Sequence, residues 1–549
     1  MTASARDVAR RVRRVSCPIP PICHALSIAV LLLLVSTSSS QVPSSDTASL
    51  PIADPKLATM VVARVGPTTI TARQFLLAYE FGPAFPKRQS DSKRRFLEYM
   101  INEKLLALDA ADRGGRAAPE VRRSVSEVEA DLATEELYRD DILSKVSVSD
   151  GELKEAIASQ RIRYSLRWIY TPTREGIDHF HTLLSRGLGF DSAYALQLSD
   201  SVAPDLRSWE TTRFKVRTLR PALAAVADTL RQGIPSPPFE GPDGWYILNL
   251  QSVTVDAITP ESEGIQQRYD AERALTRQKA DSLSDVYINQ LMADHRPVIE
   301  PKTFGVLGAY LGEVWLPKER RSALYATQSI DRETALAAVA DIKQFSREPL
   351  VRMKDRIVTL GRFLSWYRVR DTVLRLRTSS LQAYLGSLQS LVWQMVRDGL
   401  LIERATKREM QKRESVRTQK TWWEEKVLYS LEKKRIADSI SVSDEQVKTY
   451  YLNHVRSYRD AEGKTRSFDE ARETVRRDVR SLEVTKRLLH RLIALKQRYP
   501  VEIHDDILRA LPVENENDPK AIDVYIAKKG GTFPHPAFPT IDYDWQTWQ

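Results

Sequence analysis

Cysteine is nearly absent from this chain. The 549 residues include two, Cys17 and Cys23, and both fall in an N-terminal segment that the sequence predicts to be a removable export signal. The remainder would contain no cysteine, which excludes a disulfide framework, a thiolate nucleophile and cysteine metal sites.

Motifs for phosphate and hydrolytic chemistry are also missing. No Gly-rich phosphate loop, Gly-x-Ser-x-Gly elbow or His-Glu-x-x-His pair occurs. His179 and His181 are two residues apart in a predicted helix, so they face different sides and cannot hold one ion together. His504 precedes Asp505 and Asp506 at a predicted helix start, where carboxylates suit the helix dipole. We therefore expect no cofactor and no metal ion.

Long hydrophobic runs are scarce, and the one near the start is short. Ala25–Val35 is apolar, follows five arginines between positions 6 and 14, and precedes the small residues Ser36–Ser40. This order is typical of an export signal, so we predict a signal peptide over residues 1–40 and a periplasmic location. An uncleaved signal that associates the chain with the inner membrane is the alternative, although the apolar run is short for a spanning helix.

The charge balance is moderately basic. The formal net charge is +10, and residues 1–40 supply +4 of it through five Arg and one Asp. An exported protein meets little nucleic acid, so the basic run Lys407–Lys420 is interpreted as a solvated helix face. We therefore expect no nucleic-acid partner.

Three short sequences occur twice, in the same order and at nearly constant spacing. The pairs are Thr71–Tyr79 with Thr359–Tyr367, Met100–Leu106 with Met395–Leu401, and Val146–Asp150 with Ile440–Asp444. Such a series indicates a duplicated helical module.

Capping boxes predict where several helices begin, because a Ser or Thr and a Glu or Gln three residues later satisfy each other's backbone N–H groups. The pairs are Thr71 with Gln74, Ser149 with Glu152, Ser443 with Gln446, and Ser467 with Glu470. The last predicted helix, which ends before Pro500, carries apolar residues that recur at threes and fours on one face: Phe468, Ala471, Val475, Val479, Leu482, Leu489 and Ile493.

Residues 161–254 change in character. Arg163–Tyr170 and Trp245–Leu250 are β-rich, Asp178–Ser185 and Leu219–Leu230 are helical in pattern, and Gly241–Gly244 is a turn signal. This stretch predicts an α+β domain of about a hundred residues.

Several of these segments together resemble the SurA/PrsA/PpiD family of exported folding factors. The strand Val61–Val65, the helix capped by Thr71 and Glu103–Leu106 resemble the family's N-terminal module. The parvulin domain of the family is matched by Leu198–Asp200, Leu219–Leu223, Leu230–Ser236 and Gly244–Leu248. Its closing helix and strand are matched by Phe468–Ala471 and Tyr499–Ile503.

The resemblance implies a parvulin-type (PpiC) peptidyl-prolyl isomerase site, in which an apolar cup holds the proline ring above two facing histidines. The corresponding positions are Leu219 and Leu223 for the cup, Trp168 and Tyr246 for the histidines, and Ser201 or Asp200 for a polar residue near the carbonyl. Without the histidines, we expect low or absent activity against an amide barrier of roughly 18–20 kcal/mol. Trp168 and Tyr246 would leave a surface suited to aromatic or prolyl peptides, and plain core packing is the alternative.

The predicted fold class is α+β and mostly helical, with duplicated SurA-N-like helical modules and one parvulin-like α+β domain. The predicted divisions are residues 1–40 (signal peptide), 41–58 (linker), 59–160 (first module), 161–255 (degenerate parvulin-like domain), 256–345 (connecting helix and linker), 346–513 (second module with closing helix) and 514–549 (loosely ordered tail). Residues 296–350 show no pattern that identifies their elements.

These features lead to the hypothesis of a periplasmic, ATP-independent chaperone. Its partners would be unfolded exported polypeptides, outer-membrane proteins among them, held in shallow apolar grooves. A module present twice, beside an isomerase-like domain present once and without histidines, favours binding over catalysis. Two alternatives stay open: an active parvulin-type isomerase with an altered pocket, and a structural scaffold subunit of an envelope complex.

Overall fold

The computed structural model describes residues 55–197, 207–241, 244–255, 261–327, 330–371, 374–460, 463–525 and 535–548. The predicted signal peptide, most of the predicted linker, and the residues Asp200 and Ser201 lie outside the described residues. The described chain is mostly helical with small antiparallel sheets, so the coarse α+β class is confirmed. No helix in these ranges is both long and apolar enough to cross a membrane.

The chain divides into two compact units, a large one of residues 1–137 and 292–549 and a small one of residues 138–291. The elements up to residue 160 are α1 (Pro55–Thr59), β1 (Val61–Val65), β2 (Thr68–Thr71), α2 (Ala72–Glu80), α3 (Ser92–Asp112), α4 (Pro119–Asp141) and α5 (Asp150–Gln160). Those up to residue 299 are β3 (Ile162–Thr171), α6 (Arg174–Ser185), α7 (Phe190–Gln197), β4 (Ser208–Thr212), α8 (Arg213–Leu219), α9 (Pro221–Ala227), β5 (Phe239–Gly241), β6 (Gly244–Val255), α10 (Glu261–His295) and β7 (Val298–Ile299).

The remaining elements belong to the large unit. They are α11 (Pro301–Trp315), α12 (Lys318–Thr327), α13 (Arg332–Ala340), β8 (Pro349–Arg352), β9 (Ile357–Thr359), α14 (Leu360–Arg368), α15 (Leu381–Lys407), α16 (Glu414–Asp438), α17 (Asp444–Asn453), α18 (Phe468–Arg498), β10 (Val501–Ile503) and α19 (Asp505–Ala510). Short 3₁₀ turns at Gly115–Ala117 and Met410–Lys412 link α3 to α4 and α15 to α16.

The four predicted capping boxes are confirmed. The side chains of Thr71, Ser149, Ser443 and Ser467 each accept the backbone N–H three residues later, at the starts of α2, α5, α17 and α18. These contacts involve only neighbouring residues, which is why the sequence alone predicts them.

The small unit contains a four-stranded antiparallel sheet in the order β4-β3-β6-β5. One face buries Leu166 and Leu248 against Leu223 of α9, and the opposite face buries Ile169 and Ile247. The alternation follows from the two-residue period of a strand whose two faces are both covered.

The large unit contains two three-stranded sheets of the same form. In one, the hairpin β1–β2 is joined by β10, with Ala63 opposite Ile503. In the other, the hairpin β8–β9 is joined by β7, with Val351 opposite Ile299. The joining strand follows a long helix in both cases, α18 before β10 and α10 before β7.

The helices α4 and α16 each pack against elements distant in sequence. Leu428 of α16 shares a core with Leu105 and Leu106 of α3, while Leu137 of α4 shares one with Ala405 and Met410. Gly115 explains the close approach of α16, because a Cβ there would lie 3.1 Å from Leu428 Cδ2 and 2.6 Å from the Ala110 carbonyl oxygen.

A buried ion pair ties α3 to α18. Asp109 is fully buried, and its Oδ2 accepts the Nε–H of Arg491 at 2.7 Å. Arg113 donates to its Oδ1 at 3.2 Å. The hydrogen bonds to a buried carboxylate offset part of the cost of removing its charge from water.

The single apolar face predicted for α18 is only half correct. Ala471, Val475 and Val479 are buried, but Leu482, Leu489 and Ile493 on the same predicted face are exposed by 39%, 46% and 61%. The later turns bury Leu488, Leu492 and Leu495 instead. The helix packs first on α17 and then on α3 and α16, and the buried face changes between the two halves.

A stretch whose elements the sequence did not identify and a tail predicted to be loosely ordered are both packed. Part of the predicted linker over residues 256–345 forms α11 to α13, and Val306, Leu307 and Leu311 of α11 are buried. In the predicted loosely ordered tail, Ile541 and Trp545 are 4% and 2% exposed. The tail is ordered because its large apolar side chains pack against helices that are distant in the sequence. Local composition does not reveal such long-range contacts.

Candidate functional site

Trp168 and Tyr246, the positions that correspond to the two histidines of the parvulin family, lie on the same face of the small unit's sheet. Trp168 is paired with Leu248 and Tyr246 with Tyr170, so both point to the side covered by α9. Tyr246 is 3% exposed, and its ring contacts Tyr170 and Phe239 at centroid distances of 5.2 and 5.7 Å.

The two predicted cup positions differ in environment. Leu223 is 2% exposed within the core of the small unit, against which Trp168 packs. Leu219, at the end of α8, is 65% exposed. Tyr170 lies under the guanidinium of Arg207, 4.5 Å from its ring centroid. The structure therefore places Trp168, Leu223 and Tyr246 on one aromatic face, with Leu219 at the surface.

A groove in the large unit lies between α2, α3 and α16. Its walls include Ala78 of α2, Met100 and Glu103 of α3, and Trp422 and Lys426 of α16. Residues 535–548, which we call the aromatic segment, occupy it. The segment carries Phe538, Tyr543 and Trp545 beside two prolines that flank Phe538 closely, at positions 536 and 539.

Aromatic side chains anchor the segment in the groove. The ring of Phe538 stacks with Phe81 and Trp422 at centroid distances of 6.3 and 6.5 Å. The ring of Trp545 stacks with Tyr99 at 5.6 Å and Tyr429 at 6.3 Å. Such contacts supply large apolar area with little loss of side-chain entropy.

Hydrogen bonds fix the position of the segment along the groove. Thr540 Oγ donates to the Ala78 carbonyl at 2.8 Å. Glu103 Oε1 accepts the backbone N–H of Asp542 at 2.6 Å and the indole N–H of Trp545 at 3.0 Å. Each of these contacts depends on the alignment of segment and wall, so together they specify one register.

Charged groups line the same stretch. Lys426 Nζ lies 2.7 Å from Glu103 Oε2, and Lys433 Nζ lies 2.6 Å from Asp542 Oδ2. Burial raises the pKa of Glu103 above its usual range, although Lys426 opposes this effect. Burial alone would also raise the pKa of Asp542, but Lys433 and Lys426 lower it to about 2. The groove therefore stabilises an acidic residue of the segment in its charged form.

A buried pair holds the beginning of the segment. His535 Nε2 lies 3.0 Å from Asp131 Oδ2 of α4, and both side chains are fully buried. The imidazole ring meets the edge of Trp423 at a centroid distance of 5.1 Å. Trp423 is thus core, whereas its neighbour Trp422 lines the groove.

The remaining polar residues that the sequence raised as candidates lie at the surface, at a helix start or in ion pairs. The described ranges contain no group of three or more His, Cys, Asp or Glu side chains that could hold a metal ion. His179 and His181 are exposed on α6, and Asp505 and Asp506 begin α19 as predicted. The basic run forms ion pairs with acidic side chains, for example Lys420 with Glu129 at 2.8 Å and Lys407 with Glu403 at 2.6 Å.

Sequence reasoning missed the aromatic segment and gave Glu103 no role. The sequence feature that could have identified the aromatic segment is its high density of aromatic side chains, in a stretch predicted to be loosely ordered. Leaving several such rings in water is unfavourable, so their presence favours a partner surface. Local sequence patterns could not identify that surface, because three separate helices form it.

Comparison with known proteins assigns no family to the chain. No protein-family model matches it, and no curated protein matches it at a significant level.

Proposed function

We propose that this protein is a periplasmic, ATP-independent chaperone or folding factor that binds unfolded exported proteins, outer-membrane proteins among them. The observation that carries the proposal is the groove between α2, α3 and α16, which accommodates a chain segment rich in proline and aromatic residues. A groove that binds such a segment can also bind similar stretches of an unfolded chain, and this binding does not require ATP hydrolysis. Many weak apolar contacts with polar rims support broad binding of moderate affinity.

We further infer that the helical module is duplicated and that the two copies exchange their second halves. The series hairpin, helix, long helix, 3₁₀ turn, long helix occurs from β1 to α4 and again from β8 to α16. The 3₁₀ turns follow a left-handed residue in both copies, Gly114 (φ 75°) and Glu409 (φ 57°). The exchange is supported by β10 joining the first hairpin and β7 the second.

The repeat alignment relates two buried acids. Glu103 is the fourth residue of Met100–Leu106, and Asp398 is the fourth of Met395–Leu401. Both are buried, and burial raises the pKa of each, that of Asp398 to about 6. This correspondence supports two related halves, of which the first binds the aromatic segment.

The small unit supports binding more than isomerisation. A rotamase of the parvulin type needs polar groups around the twisting amide, and the face with Trp168 and Tyr246 offers closely packed rings instead. We therefore propose that this parvulin-like unit has little or no isomerase activity and acts as an accessory to the large unit.

A scaffold subunit of an envelope complex is the second candidate. The observation in its favour is the exposed stripe of Leu482, Leu489 and Ile493 on α18, because exposed apolar stripes often mark contacts with a stable partner. A single stable partner in affinity purification would favour this role over transient binding of many unfolded chains.

Two assays on the purified protein test the proposal. In the first, an unfolded β-barrel protein is diluted from urea with and without the purified protein, and light scattering is followed. Slower aggregation is expected, and aggregation equal to that with an inert protein would contradict chaperone function. In the second, exchange NMR on a short X-Pro peptide is expected to show the uncatalysed rate. Clear acceleration would identify an active isomerase instead.

A further inference from the structure

We propose that the aromatic segment is a built-in ligand of the groove, and that the groove binds client segments in which an aromatic residue adjacent to proline is followed by aliphatic, acidic and aromatic residues. The inference rests on the proposed function in one respect, since the external ligands would be unfolded clients. The model for the ligand is the chain's own Phe538–Trp545.

Shape complementarity supports a ligand of this kind. Phe538, Ile541 and Trp545 point into the groove, and the last two are almost completely buried. The cavity beside Pro539, Thr540 and Ile541 is about 40 Å³, room for little more than ordered water. These contacts favour a ligand with large apolar side chains at the spacing of Phe538, Ile541 and Trp545.

Charge complementarity supports the acidic positions. Lys433 Nζ lies 2.6 Å from Asp542 and 2.5 Å from Asp544. Lys433 belongs to the wall and both aspartates to the segment, so an emptied groove would present this ammonium without its carboxylates. An incoming segment with an acidic residue at the same spacing would restore the pair, and a basic one would be disfavoured.

Tethering turns the segment into a competitor. A ligand held on the same chain has an effective concentration on the order of millimolar, so a free segment of equal affinity at micromolar concentration displaces little of it. Clients must therefore bind through several segments or be present at high local concentration. Folded proteins that carry a single weakly binding motif would not displace the aromatic segment from the groove.

The test uses the full chain and a fluorescein-labelled peptide with the sequence of residues 535–548. The tail-weakened variant Phe538→Ala/Ile541→Ala leaves the groove walls intact. Gln546→Ala is the matched control, because Gln546 is an exposed residue of the same segment. Fluorescence anisotropy is expected to show at least ~tenfold tighter peptide binding to the tail-weakened variant than to the wild type or the control.

Two further changes locate the site. Adding Trp422→Ala to the tail-weakened variant is expected to abolish the gain, since Trp422 stacks on Phe538. A peptide with alanine in place of Phe538, Ile541 and Trp545 is expected to bind no form. Equal affinity of the peptide for wild type and a folded tail-weakened variant would overturn the proposal and leave the segment as a structural strap.

A second measurement covers the case in which the tail-weakened variant does not fold. Hydrogen exchange at the Asp542 amide, which donates to Glu103, is followed in the wild type with millimolar unlabelled peptide. Loss of protection is expected, and unchanged protection would overturn the proposal. An unfolded client that fails to displace bound peptide would contradict the chaperone function while leaving the peptide site intact, so the two failures are distinguishable.

Discussion

The carboxylate of Glu103 accepts the indole N–H of Trp545 at 3.0 Å, although the two residues are 442 positions apart in the chain. The same oxygen accepts the Asp542 amide, and the other faces Lys426. One buried acid of α3 therefore coordinates donors from α16 and from the aromatic segment, and its removal should affect all of them.

Glu103→Leu is expected to destabilise the large unit by about 3 kcal/mol, because it leaves Lys426 and the Trp545 indole without their acceptor. Glu103→Gln keeps an acceptor and should cost about 1 kcal/mol. Urea unfolding followed by tryptophan fluorescence measures both. Glu98→Leu on the same helix, with a half-exposed side chain, serves as the control. Equal stability of the Leu and Gln variants would contradict this role.

Asp398 should make stability depend on pH. Burial raises its pKa to about 6, above the unfolded value of about 3.9. The folded state therefore binds more protons between these values, and stability falls as the pH rises through that window. From pH 5 to pH 7 this group should remove about 1 kcal/mol, a loss that Asp398→Asn abolishes.

The control for that measurement is Glu403, on the same helix. Its hydrogen bonds with Arg356 and Lys407 lower its pKa to about 2, so it stays charged from pH 5 to pH 7. Glu403→Gln should lower stability equally at both pH values. Urea unfolding at the two pH values checks both variants, and an unchanged pH dependence in Asp398→Asn would refute the assignment.

Asp109→Ala should be far more damaging than Asp112→Ala, one turn along α3. Asp109 is fully buried and pairs with Arg491, so its loss removes the carboxylate that accepts hydrogen bonds from a partly buried guanidinium, at a cost of about 3 kcal/mol. Asp112 pairs with Arg498 at the surface, 41% exposed, where such pairs contribute less than about 1 kcal/mol. Thermal or urea unfolding of both variants gives the comparison; similar losses would contradict the assigned burial effect.

Leu219 and Leu223 should respond differently to a charge. Leu223→Asp places a carboxylate in the core of the small unit and should cost more than about 3 kcal/mol. Leu219→Asp is at an exposed position and should change stability by less than about 0.5 kcal/mol. Calorimetry measures both. Comparable destabilisation by the two variants would contradict the observed burial.

The parts of the fold that the sequence predicts are the local ones. The capping boxes, the hairpin β1–β2 and the end of α18 before Pro500 depend on residues within a few positions of one another. The parts that it does not predict depend on distant partners. Leu482 and Leu488 are both apolar on α18, and the packing of α18 against distant helices decides which is buried.

The candidate site divides in the same way. The resemblance to the parvulin domain implied that Trp168 and Tyr246 face one site, and the pairing of β3 with β6 places both on one face of the sheet. The exposure of Leu219 could not be predicted, because it depends on where α8 ends. The groove in the large unit could not be predicted either, because it is formed by three helices and occupied by a segment far along the chain. No local pattern connects Glu103 to Trp545, so this contact could not be anticipated.

The pairing of β1 with β10 has a consequence for biosynthesis. A chain made from its first residue must hold the hairpin β1–β2 without its third strand until residues 501–503 have been added. Until then β1 presents an open edge that can pair with other chains, and contacts of such high sequence separation form slowly. A chain with this strand order is therefore prone to aggregation until β10 has been made, and a chain interrupted before β10 would lack the third strand of its first sheet.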